Sequence, residues 1–195
     1  PTWTETVVET VAGGILTDVT FATDVDSYSD YYIYLAYVKL ADDGDDIWFA
    51  RSTNQSASYA APYMIGNAST NDRDYGSPSI TYGFGGWVHV TWHSGMHDFS
   101  DMGILYRGAA SRAPLYSSWD ATARPLASES NGFREGGPTV AARTGSSELL
   151  LTFTVYKPDL NESGIQAVIS SNNDRNWLLA MPYTSEFNTC RAYYG

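Results

Sequence analysis

Cysteine, lysine and long apolar runs are what this sequence has least of. One cysteine, Cys190, among 195 residues excludes an internal disulfide and a zinc site built on cysteines. Two lysines, Lys39 and Lys157, stand against 22 acidic residues and a net charge of −11. That balance argues against a protein that grips nucleic-acid phosphates. No apolar run approaches the roughly 18 residues of a membrane-spanning helix. Charged residues are only 17% and hydrophobic residues 43%, so the chain is too apolar to be disordered. The length suits one domain or a piece of a larger one. The chain begins at Pro1 without a methionine, as expected of a processed protein, a fragment or a trimmed piece, and no signal peptide marks its compartment.

What the sequence has in abundance is strand and turn material. It carries 15 Tyr, 6 Trp and 17 Gly, with frequent Ser, Thr and Val. β-branched and aromatic residues fit a pleated surface, while Gly, Asn, Asp and Ser supply turns. The expectation is a nearly all-β chain. Three Asn-x-Ser/Thr sequons, at Asn54, Asn67 and Asn161, together with the acidic, lysine-poor composition, point to an extracellular, secreted protein with those asparagines as possible glycosylation sites.

A repeat organises the chain. VTFATD from Val19, PSITYG from Pro78, PTVAAR from Pro138 and NTCRAY from Asn188 look alike, and their starts are 59, 60 and 50 residues apart. After each of the first three comes an apolar run: Tyr32 to Val38, Trp87 to Trp92 and Leu149 to Val155. A polar loop, a third strand, a turn with a closing aromatic (Tyr59, Trp119, Trp177) and a fourth strand complete each unit. Four short strands per unit suggest an all-β propeller of four-stranded antiparallel blades. A blade between two neighbours is apolar on both faces, which accounts for second strands that do not alternate. A β-sandwich with similar strand spacing is the competing reading. The predicted division is 1–18 as the outer strand of a preceding blade, 19–76, 77–136 and 137–187 as complete blades, and 188–195 as the inner strand of the next. Such a chain needs a partner chain, an oligomer or a missing remainder to complete its ring.

The turns after the third strands carry a family resemblance. Arg51-Ser52-Thr53-Asn54-Gln55-Ser56-Ala57-Ser58-Tyr59 and Ser170-Ser171-Asn172-Asn173-Asp174-Arg175-Asn176-Trp177 resemble the Asp-box, the Ser-x-Asp-x-Gly-x-Thr-Trp turn of sialidase-like (BNR-repeat) propellers. Asn54 stands where that motif has Asp, and the Gly is absent. The middle unit, Arg107 to Trp119, keeps the arginine and the closing Trp and has a longer turn. Asp-boxes are structural in that family, so the resemblance implies fold more than activity. It also implies, by analogy, a glycoside hydrolase or polysaccharide lyase as one possible function.

Arg51 and Arg107 read as equivalent positions that brace turns. Asp24, Tyr82, Arg143 and Arg191 fall at or just after the ends of the inner strands, where loops meet the central channel, and are the ligand-binding candidates. Asp42, Asp43, Asp45 and Asp46 flank Gly44 and offer the hard oxygen ligands that Ca²⁺ takes. The histidines His89, His93 and His97 crowd one stretch. His89 and His93 lie roughly 13 Å apart on an extended strand at about 3.3 Å per residue, so only His93 with His97 could share an ion. His89 is expected between blades and the other two in a solvated loop. No nucleophile elbow, phosphate loop or zinc-protease motif is present. The leading expectation is therefore a secreted propeller that binds a glycan or a protein. A sialidase-like hydrolase or lyase and a strand-exchanged extracellular fibre are the alternatives.

Overall fold

The computed structural model describes residues 6–10, 14–24, 31–40, 44–52, 58–68, 74–95, 103–127, 134–157, 162–172 and 177–179. They form three four-stranded antiparallel sheets, each with its strands in chain order. The first holds β1 (Ile15–Thr23), β2 (Ile33–Leu40), β3 (Asp46–Arg51) and β4 (Tyr63–Gly66). The second holds β5 (Asp74–Gly83), β6 (Trp87–Gly95), β7 (Gly103–Ala109) and β8 (Arg124–Ala127). The third holds β9 (Arg134–Ala142), β10 (Leu149–Lys157), β11 (Glu162–Ser170) and β12 (Trp177–Leu179). The innermost strands touch one another, β5 packing on both β1 and β9. This is a β-propeller arrangement, in which each sheet is a blade. No helix among the described residues is long and apolar enough to cross a membrane.

The repeat seen in the sequence has a backbone cause. Each inner strand carries a β-bulge, and the bulge residue has positive φ: Asp18 (50°), Ser77 (45°) and Gly137 (58°). Each stands one residue ahead of the repeat starts Val19, Pro78 and Pro138. Asp and Gly tolerate the left-handed region better than most residues, and a bulge sharpens strand twist where blades must fan out. The bulges also link blades, because the Ser77 backbone N–H donates to Asp18 Oδ2 at 3.1 Å. The inner strands extend past the bulge in the N-terminal direction, so Ile15 to Asp18 belong to β1 and not to a preceding blade.

The core sits between blades. Tyr34, Val38, Ile47, Phe49, Val88, Val90 and Trp92 are buried in one cluster between the first and second sheets. Ile104, Val140, Leu151, Phe153 and Val168 fill the second seam. The closing aromatics do what the repeat requires. Tyr59 bridges Ser52, Trp119 bridges Ala109, and Trp177 pairs with Ser170. Trp119 is buried against Phe49 of the neighbouring blade, with ring centroids 5.0 Å apart.

Candidate functional site

Counting from the bulge residues sets the three blades in register. Asp24, Gly83 and Arg143 each lie six residues past the bulge, at the ends of β1, β5 and β9. These ends open into one cleft of about 660 Å³, lined by Thr23, Tyr82, Phe84, Arg143, Thr144 and a run of glycines. Two of the proposed ligand residues, Tyr82 and Arg143, thus line a single cleft, and Asp24 lies directly behind Thr23. Phe84 is exposed on a short 3-10 turn between Gly83 and Trp87. Gly85 and Gly86 of that turn have φ of 74° and 84°, which lets the chain reverse within three residues. The Arg143 side chain is 72% exposed and donates to Glu148 Oε2 at 2.6 Å. This ion pair holds the Glu148 carboxyl below its usual range. Exposure makes the pair weak, so a ligand group can displace it at little cost.

Asp24 itself does not face the cleft as a free carboxylate. It is fully buried. Its Oδ1 accepts the Tyr32 backbone N–H at 2.5 Å, and its Oδ2 accepts the Arg112 Nε–H. The Tyr34 hydroxyl lies 3.0 Å from Oδ2 and 2.8 Å from the Arg112 carbonyl oxygen. Burial, with the Asp24 carboxylate second, raises the Tyr34 hydroxyl well above the usual tyrosine range. The Tyr34 ring stacks on Tyr82 with centroids 5.7 Å apart, so the network supports one wall of the cleft. Arg112 comes from the long turn of the second blade and reaches over the first. From the same turn the Pro114 carbonyl accepts Arg51 Nε–H at 3.2 Å and the Tyr63 hydroxyl at 3.0 Å. The extra turn length of this blade serves as a clasp.

In the second blade the place of Asp24 is taken by Gly83 and that of Tyr34 by His89. His89 is fully buried, its Nδ1 lies 2.7 Å from the Tyr106 hydroxyl, and its Nε2 has no hydrogen-bond partner. A Cβ on Gly83 would stand 2.6 Å from that Nε2 and 3.6 Å from the Ala142 Cβ. The cleft floor therefore needs glycine there. Gly83→Ala is expected to cost about 1–3 kcal/mol through overpacking, read as a lower urea midpoint at unchanged slope.

The remaining sequence candidates fall apart from the cleft. Arg51 and Arg107 are not equivalent positions. Arg51 pairs with Tyr34 and Arg107 with Val90, whereas the partner of His89, the counterpart of Tyr34, is Gly108. A one-residue offset reverses the face of a strand. Both arginines therefore point into the same seam from opposite sides. Arg107 donates to the Ile65 carbonyl at 2.6 Å and the Asp120 carbonyl at 2.7 Å. Both brace turns, as expected. His93 lies in β6 and is half-buried against Gly76, not in a solvated loop, because the strand continues to Gly95. Burial lowers its pKa. Asp46 caps the Ala68 backbone N–H at 2.8 Å, and the Asp45 carbonyl accepts the Tyr75 N–H. Among the described residues no three His, Cys, Asp or Glu side chains converge on a metal position. Asn67 follows β4 and is half-buried. Asp42, Asp43, Asn54, His97, Asn161, Cys190 and Arg191 lie outside the described residues.

No protein-family model matches the sequence, and no curated protein matches it. Solved structures do. The Hadza microbial sialidase Hz136 matches with a TM-score of 0.59 and 10% identity, over 84% of this chain and 37% of its own. The fold is sialidase-like. BT0996, solved as an RGII complex, matches with a TM-score of 0.57 and 13% identity, over 97% of this chain and 61% of its own. The PL25 ulvanlyase bound to -[GlcA(1-4)Rha3S]- matches with a TM-score of 0.52 and 10% identity, over 78% of this chain and 42% of its own. The chain thus spans less than two thirds of each of these proteins.

Sequence reasoning missed Phe84, Gly83 and Arg112. Phe84 stands in a Gly-Phe-Gly-Gly run, an aromatic flanked by turn residues, and that pattern is a usable signal. Gly83 becomes visible only once the blades are in register with Asp24. Arg112 gives no sequence signal, because its partner Asp24 is 88 residues away.

Proposed function

We propose that this chain is a secreted sialidase-like propeller that binds carbohydrate in the cleft at the ends of β1, β5 and β9. The observation that carries the reading is the lining of that cleft. An exposed aromatic ring (Phe84), a tyrosine held by stacking (Tyr82), an arginine whose present partner is a weak surface carboxylate (Arg143) and two threonines surround a floor of glycine. Aromatic faces stack on the apolar faces of sugar rings, while hydroxyl and guanidinium groups satisfy sugar oxygens. The neighbours in fold include a sialidase and a polysaccharide lyase, which supports carbohydrate as the ligand class. A hydrolase or lyase on this fold is the second reading, favoured by the enzymes among the neighbours.

The Asp-box reading of the third-to-fourth-strand turns belongs to the same proposal. Ser52 is fully buried, and its Oγ accepts the Ile33 backbone N–H at 2.7 Å. Ser170, also fully buried, faces Trp177 across the matching turn. A small hydroxyl that satisfies backbone beside a closing aromatic is what such a turn needs.

The test is a glycan array carrying neutral, uronate-bearing and sialylated oligosaccharides, followed by calorimetry on the best binder. Phe84→Ala and Arg143→Ala are each expected to weaken binding by about 10-fold, the equivalent of about 1.4 kcal/mol. Both side chains are exposed, so stability should stay within about 0.5 kcal/mol. An array with no binder, or variants that bind like the parent, overturns the proposal.

A further inference from the structure

Both aromatic residues of the cleft lead back to Arg112, by separate routes. Tyr82 lies nearly parallel to Tyr34, at an interplanar angle of 10°. Tyr34 stacks in turn on Tyr32, with centroids 6.3 Å apart. The Arg112 guanidinium lies 5.2 Å from the centre of the Tyr32 ring, and the Arg112 carbonyl oxygen lies 2.8 Å from the Tyr34 hydroxyl. The second route runs through the turn that begins with Phe84 and closes at Gly86. A Cβ on Gly86 would find its three nearest atoms all in Arg112: the N at 3.4 Å, the Cβ at 3.6 Å and the Cα at 3.9 Å. The Phe84 turn is therefore backed by Arg112.

Arg112 is itself held in place. The fully buried Asp24 accepts its Nε–H. Two residues on, the buried Pro114 is fastened to the first blade through Arg51 and Tyr63. Arg112 is not among the residues that line the cleft, so a molecule bound there meets Phe84 and Tyr82 and senses Arg112 only through them. Side chains already fixed in the binding geometry lose less freedom when a ligand arrives, and affinity rises accordingly.

We propose that Arg112 is the positioning residue of the cleft, fixing Phe84 through Gly86 and Tyr82 through Tyr32 and Tyr34. Affinity then depends on a side chain that the ligand does not touch. The inference rests on the reading of the cleft as a carbohydrate site. A role confined to stability would lower the urea midpoint and leave the folded cleft unchanged. Positioning alters the folded cleft itself, and its effect on binding runs through the two aromatics. Arg143 is the control, because its own support comes from the β9–β10 turn, where its N–H donates to the Glu148 carbonyl at 2.9 Å. Residues in one network couple, whereas separately supported ones add.

Two measurements test it. The first is fluorine NMR on protein labelled with 4-fluorophenylalanine at Phe84 or 3-fluorotyrosine at Tyr82. In folded Arg112→Ala both signals should shift, while a 4-fluorophenylalanine label at the buried Phe153 of the third blade should stay in place. The second is calorimetry with the tightest oligosaccharide from the glycan array. Arg112→Ala should weaken its binding by about 10-fold. On the Phe84→Ala background the same change should cost about 3-fold or less, whereas with Arg143→Ala the two losses should multiply. Arg112→Lys, which keeps a cation opposite Asp24, should recover part of the loss. Should Arg112→Ala misfold, Arg112→Met carries both measurements, since it keeps the apolar stem and loses the cation. Unchanged fluorine signals at both Phe84 and Tyr82 in a folded variant overturn the proposal. So does binding equal to that of the parent, or a loss that multiplies with Phe84→Ala as fully as with Arg143→Ala. An array with no binder sinks the carbohydrate reading and leaves the fluorine signals to decide whether Arg112 positions the cleft.

Discussion

Asp24→Ala is expected to cost about 2–4 kcal/mol of folding stability, below the 3–5 kcal/mol of a fully buried pair because Arg112 is partly solvated. The Asp24 side chain is 0% exposed and that of Arg112 34%. Removing the carboxylate strands the Tyr32 backbone N–H, which has Asp24 Oδ1 as its acceptor. It also removes the Asp24 partner of Arg112, the residue by which the long turn of the second blade holds the first. The Tyr34 hydroxyl keeps the Arg112 carbonyl at 2.8 Å, so this group does not add a full desolvation penalty. Asp24→Asn keeps the shape and loses the charge, and should cost about half as much. Arg112→Ala leaves a buried carboxylate without its cation. The Asp24→Ala/Arg112→Ala double variant should therefore cost clearly less than the sum of the singles, a coupling of about 1–3 kcal/mol. Urea midpoints at neutral pH measure the parent and each variant. Additive single effects would mean that the pair does not tie the blades together.

The fold was legible because its determinants repeat. The apolar second strands, the closing aromatics and the 59- and 60-residue spacing are each set within one blade, where short-range pattern and strand geometry agree. Even so, the sequence pattern marked the strand starts a few residues late. The bulge makes the pleat skip, so the part of each inner strand ahead of Asp18, Ser77 and Gly137 is out of phase with the rest. The offset between Arg51 and Arg107 escaped for a related reason. Motif matching aligned like residues, whereas strand pairing aligns faces, and one residue separates opposite faces.

The site was partly legible. Tyr82, Arg143 and Asp24 were found from their place at the ends of inner strands, where open sheets and rings alike bring loops together. Their roles were not. Asp24 reads in sequence like Arg143 does, as a charged residue after a strand. Only the partners supplied from a turn in another blade make it a buried strut and leave Arg143 in the cleft. His89 looked like packing and is packing, but its unpaired Nε2 depends on a glycine that sequence reading had no reason to single out.

That unpaired nitrogen has a consequence for acid stability. Burial pushes the pKa of His89 down to about 3, against about 6.5 for a solvated histidine. Below about pH 6.5 the unfolded chain takes up a proton that the native chain refuses until about pH 3. Stability therefore falls as pH falls through that window, by about 1.4 kcal/mol per pH unit for one proton at full effect. From pH 6.5 to 5 the loss traceable to His89 should be about 2 kcal/mol. His93, also lowered by burial, adds to it with the same sign, and carboxylate titration takes over further down. His89→Gln isolates the first contribution. The amide does not titrate in this range and can still meet the Tyr106 hydroxyl, so the variant should be somewhat less stable at pH 7.5. Its slope between pH 6.5 and 5 should be shallower than that of the parent by up to one proton. Chemical denaturation at four or five pH values gives both slopes. Parallel curves for parent and variant would show that His89 is protonated as readily in the folded chain as outside it, and that the seam above Gly83 is open to water.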